Sequence, residues 1–215
     1  MATLSTLLIL ADSRLPTGGH VHSGGVEEAV TSRVVVDLET LEAYLRRRIR
    51  TSGLVTASVA AAVHREDLTV ADADAETDAR TPSPAARQAS RAQGRGLLRL
   101  ARRVWPAVEQ DWDWDSLGPR PHLAVTAGRV GAVSGLDPHQ SALSLVYTTM
   151  TGTATAAQRL LALDPADVAA LTFGLASLCE DTAALAAAGL ADLSDPLLDE
   201  FAQRHAQRER PLFVS

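Results

Sequence analysis

Two dipeptides set most of what this chain can become. Asp137-Pro138 and Asp164-Pro165 each place a capping carboxylate directly ahead of a proline, whose fixed φ suits the first turn of a helix. Behind the first, Leu143, Val146 or Tyr147, Met150, Ala154, Ala157 and Leu161 recur every three or four residues. Behind the second, Val168, Leu171, Leu175, Leu178, Thr182 and Leu185 do the same as far as Gly189. That period lays one apolar stripe along a helix. Asp37 gives a third start, ahead of Leu38, Leu41, Leu45 and Ile49, with Arg46, Arg47, Arg48 and Arg50 mostly on the other faces. No stretch alternates apolar and polar residues as a half-buried strand would. The expected fold class is all-α: a compact bundle of about eight to ten helices in a single domain spanning residues 1–215.

The remaining segments read in the same terms. Residues 2–11 predict a short apolar helix, ended by the extension that Pro16 forces. Ser23 is the expected N-cap of a helix starting near Gly24, with Glu27 in its first turn. Gly53 is expected to interrupt the arginine-bearing helix before Leu54 to His64, which is apolar all round and therefore central. Asp72 to Pro84, acidic and broken by two prolines, reads as a surface helix and loop. A helix from Ala85 to about Val104 carries Leu97, Ala101 and Val104 on one face, with arginines around it. Asp111, Asp113 and Asp115 alternate like a calcium loop. Ser116 and His122 stand where glycine and glutamate are needed, so that reading fails. Gly128, Gly131 and Gly135 make a small-residue face suited to close helix contact, and a last helix spans about Asp195 to Arg208.

Composition narrows the chemistry. Apolar residues make up 46% of the chain but aromatics only 4%, so the core must be alanine, leucine and valine. All 20 basic residues are arginine, which excludes a P-loop lysine, a Schiff-base lysine and a carbamylated lysine. The net charge of −6 gives no electrostatic footprint for nucleic acid. Cys179 is the single cysteine, reads as a core thiol, and suits a reducing compartment. The chain opens without a basic segment ahead of its short apolar run, and no run reaches the ~20 apolar residues of a membrane span. A cytoplasmic location is expected.

The segment Leu10 to Glu27 (LADSRLPTGGHVHSGGVE) alone concentrates glycine, histidine, proline and hydroxyls. Gly19 and Gly24 have phosphate-loop spacing, but Gly25-Val26 stands where lysine and serine or threonine belong. Ser13 or Ser23, His20 or His22, and Asp12 supply the types for a hydrolytic triad without a nucleophile elbow. His20 and His22 could share a metal ion if the segment is extended, with no further His or Cys nearby to close the site. The fourth reading is a structural joint whose side chains satisfy loop backbone groups. On chemistry alone the joint leads, and binding is expected rather than catalysis.

This segment resembles the N-terminal signature of the UreF family of urease accessory proteins, through Ala11, Asp12, Ser13, Leu15, Pro16, Gly18, Gly19, His22, Ser23, Gly25 and Glu27. His20 replaces the family's aromatic residue, and Val26 its leucine. Arg87-Gln88-Ala89-Ser90 with Gly94-Arg95-Gly96-Leu97-Leu98 resembles a second family segment. Gly128 to Leu136, Tyr147 and Ala156-Ala157-Gln158-Arg159-Leu160 resemble a third. The tail Leu212-Phe213-Val214-Ser215 is similar to the family's ending, with Arg210 one place early and Pro211 in the arginine position. Leu163-Asp164-Pro165 departs from the family's leucine-glycine-glutamine. The resemblance implies an all-α, non-catalytic nickel-insertion chaperone. It would form a homodimer, bind UreD (UreH), recruit the GTPase UreG, and serve apo-urease, with nickel passing through the complex and no stably bound cofactor. It points to segment 1–23 and tail 209–215 as docking appendages. The residues implied are Asp12, Ser13, Pro16, Gly18, Gly19, His22, Ser23, Gly25, Glu27, Arg159, Arg210, Leu212, Phe213 and Ser215.

Overall fold

A computed structural model describes residues 4–12, 14–17, 23–106 and 113–208. Among them the regular structure is entirely helical, in the order α1 (Leu4–Leu10), α2 (Val26–Thr31), α3 (Leu38–Arg48), α4 (Leu54–His64), α5 (Val70–Arg80), α6 (Pro84–Val104), α7 (Leu123–Val133), α8 (Pro138–Leu161), α9 (Pro165–Gly174), α10 (Ala176–Ala188) and α11 (Pro196–Ala206). The starts expected at Asp37, Asp137, Asp164 and Asp195 are the observed ones. Asp37 and Asp137 each accept the backbone N–H three residues on, and Thr40 and Gln140 return the bond, closing two capping boxes. Asp164 and Asp195 cap α9 and α11 ahead of their prolines.

α4 is the axis. Apolar on every face, it can be packed on every face, and α5, α7, α8 and α10 surround it. Alanine allows the close approach, and Gly128 of α7 allows the closest: a Cβ there would lie 2.3 Å from the Ala60 carbonyl oxygen. Outside this layer, α6 lies on α7, and α11 bridges α6 to α2.

Four local expectations are corrected. Ser23 is not the N-cap of α2; that position is Gly25, and no side chain caps the helix. Gly24 and Gly25 have φ of 61° and 83°, a left-handed turn that carries Ser23 away from the helix start and into the interior. Gly53 does not interrupt the chain, because Ile49–Gly53 forms a π-helical turn joining α3 to α4 without a break. The stripe after Asp164 is two helices, α9 and α10, bent by 45°. Leu175 sits fully buried at the bend, while Leu185 is turned to solvent. Val104, expected on the buried face of α6, is exposed in its last turn.

Candidate partner-docking joint

The chain leaving the N-terminal signature is held by α3 and α11, and each bond can be traced to a spacing. Tyr44 and Arg48 stand one helical turn apart on α3, and both donate to the Gly24 carbonyl, at 3.2 and 2.5 Å. Burial pushes the Tyr44 hydroxyl up to about 12, so it stays a donor at any physiological pH. Gly25 has no Cβ, and one placed there would sit 3.0 Å from the Tyr44 hydroxyl. In α2, Glu27 lies beside α11, where His205 Nε2 is 2.7 Å from its Oε2, both side chains buried. Arg208 adds a second tie, to Glu28 at 3.1 Å and Thr31 at 2.9 Å.

The start of α11 is fixed to the helix behind it. Asp195 accepts from Arg47 at 2.6 Å and Thr51 at 2.5 Å, and caps its own helix at Leu198. Burial pushes this carboxyl up, but those bonds outweigh it and hold it below the usual carboxylate range. Arg47 and Thr51 stand four residues apart, one helical turn, and so reach the same carboxylate.

The second family segment has its own geometry. Ser90 Oγ accepts from Leu123 N–H at 3.2 Å and lies 3.0 Å from His122 Nδ1, while His122 Nε2 is 2.8 Å from Asp78. A carboxylate can only accept, so Nε2 carries the proton given to Asp78, and in the neutral imidazole Nδ1 is left to accept from the Ser90 hydroxyl. Burial lowers the His122 pKa accordingly. Arg91 spans Asp74 at 2.7 Å and Asp78 at 3.1 Å. Asp74, Asp78 and His122 bring three ligand-type atoms within 4.8 Å of one another. Arg91 bridges both carboxylates and Arg87 lies 3.8 Å from Asp78, so two guanidinium charges already balance the pair and the cluster suits a structural network and not a cation.

Among the described signature residues, Asp12 is committed to Arg14, whose guanidinium holds the carboxyl down at about 2. Pro16 is exposed, Ser23 is buried, and Gly25 and Glu27 belong to the joint. Arg159 is exposed in the last turn of α8, far along the chain from the others. Ser13, Gly18, Gly19, His20, His22, Arg210, Leu212, Phe213 and Ser215 lie outside the described residues. A hydrolytic triad would draw here on a buried serine and a carboxylate already engaged by arginine; neither suits the role. Sequence reasoning missed Tyr44, Arg48, Asp195, His205 and the Asp74–Asp78 pair. One signal was available for His205: it continues the Leu198, Phe201 stripe of α11, where a buried histidine needs a partner.

An all-α scaffold whose N-terminal joint is tied down by α3 and α11 is the class of protein that the described residues define. The family model for UreF matches residues 35–176. Proteins named urease accessory protein UreF are similar over the full length of both chains. One from Mycobacterium sp. (strain JLS) is 74% identical, one from Mycolicibacterium vanbaalenii 73%, and one from Mycobacterium tuberculosis (strain ATCC 25618 / H37Rv) 70%. The chain belongs to the UreF family of urease accessory proteins.

Proposed function

We propose that this chain acts as a non-catalytic bridge in urease maturation. It binds UreD (UreH) through its N-terminal segment 1–23 and tail 209–215, recruits the GTPase UreG, and regulates GTP-dependent nickel delivery to apo-urease in the cytoplasm. Residues 1–215 work as one domain, and nickel is cargo of the assembly rather than a resident cofactor of this chain. The observation that carries the docking role is α1. It has no buried residue, and Leu4, Leu8 and Ile9 are 72%, 61% and 60% exposed beside the signature. A helix of that composition gains its burial from something outside its own fold. Deleting residues 1–22, or 211–215, is expected to abolish co-purification with UreD, and retention of UreD would reject the reading. Calorimetry of the isolated chain with GTP is expected to show no heat of binding, while the chain changes the turnover of UreG.

Homodimerisation belongs to the same proposal. Phe173 is 82% exposed at the end of α9, amid the exposed small residues Ala169, Ala170 and Gly174. A second copy covering it accounts for a large aromatic left in solvent in a chain so poor in aromatics. Phe173→Asp is expected to turn a dimer into a monomer in analytical ultracentrifugation while the helical far-UV circular dichroism of the wild type is kept.

A further inference from the structure

α6 carries Arg87, Arg91, Arg95, Arg99, Arg102 and Arg103 and no acidic residue in 21 positions. Three of the six are accounted for. Arg87 and Arg91 face Asp78 and Asp74 of α5, and Arg102 meets Asp115. Arg95, Arg99 and Arg103 are exposed and have no ion-pair partner among the described residues. Set four apart, they rise about 6 Å per step and drift about 40° around the axis, forming one gently winding row. Like charges at this spacing repel, so the row costs the isolated fold and returns nothing to it.

We infer that Arg95, Arg99 and Arg103 form a docking ladder for a row of carboxylates on a partner protein. Guanidinium forks match carboxylates two bonds at a time, and an acidic helix presents its side chains at the same step. A nucleic acid fits less well: the chain is −6 overall, and the row has no aromatic residue on which a base could stack. The place of the row names the occupant. Gly96 lies between Arg95 and Arg99 in sequence, and a Cβ on it would come within 2.6 Å of the Thr17 carbonyl oxygen. Thr17 of the signature segment therefore lies against α6 beside the ladder, and whatever docks on that part of the segment meets the arginines too. The inference rests on the reading that UreD docks there, and it places the acidic row on UreD.

The test is the affinity of the full chain for UreD across salt concentrations, for wild type, R95E/R99E/R103E and R95K/R99K/R103K. The glutamate variant is expected to bind at least tenfold more weakly at low salt, mainly through a slower on-rate. Its affinity should also depend less steeply on salt, with an unchanged melting temperature. The lysine variant should keep most of the on-rate, since the charges remain. Wild-type affinity and salt slope in the glutamate variant would overturn the ladder. So would tight binding of a single-stranded DNA oligonucleotide that the same variant loses. The 1–22 deletion separates the two ideas. If it abolishes UreD binding while the glutamate variant binds normally, the docking reading stands and the ladder alone fails. If it leaves UreD bound, the docking reading fails, and the ladder with it.

Discussion

At the scale of single residues, the second family segment is explained by one missing methyl group. A Cβ on Gly94 would lie 2.3 Å from the Pro121 carbonyl oxygen and 2.7 Å from the carbonyl carbon of His122, both backbone atoms that cannot swing aside. Gly94→Ala is therefore expected to destabilise the fold by about 3 kcal/mol, read as a fall in melting temperature of about 6–12 °C. Cys179 gives an opposite, quiet prediction. Its thiol is buried against the Met150 sulfur, and burial pushes its pKa up to about 11. It should resist a thiol reagent such as DTNB in the native chain at pH 8 and react only as fast as the chain unfolds. The core role of this cysteine was legible from its place in an alanine and leucine run. The role of Gly94 was not, because nothing local in the sequence says which backbone will come to lie across it.

Elements show where legibility runs out. Helix starts were readable because aspartate, proline and the apolar period act within a few residues of one another. The π turn at Ile49–Gly53, the bend between α9 and α10, and the partners of α5 were not, because each is set by packing at a distance. The stretch Asp72 to Pro84 looked like a solvated surface only, yet its helix supplies the carboxylates that lock α6 and the start of α7. That lock should be sensitive to acid. The His122 pKa is lowered in the fold, so its contribution is complete above the unfolded value of about 6.5 and declines as the pH falls below it. Asp78 is also lowered: burial raises it, but the bond from His122 and the charge of Arg91 prevail, so its share is lost at still lower pH. Urea midpoints are expected to fall between pH 7 and 5 in the wild type, and to fall less in His122→Gln, which starts from a lower stability.

For the whole molecule, the joint is made by residues that the chain keeps far apart. Glu27 and His205 are 178 positions from one another, and Arg47 and Asp195 are 148 apart. The α4, α5, α7, α8 and α10 core needs none of those bonds. A chain ending at residue 194 is therefore expected to keep hydrogen-exchange protection in α4 and α7 while losing it in α2. The family signature was visible as a pattern, but the residues that grip it could not be found by looking near it, since α3 and α11 reach it only once the chain has folded. Closing so long a loop is also a matter of timing. The signature segment emerges from the ribosome before α11, yet its joint cannot be finished until α11 has followed. A chain that has not yet made α11 thus presents an unfinished joint, and the fold withholds the tied form of α2 until α11 has been made.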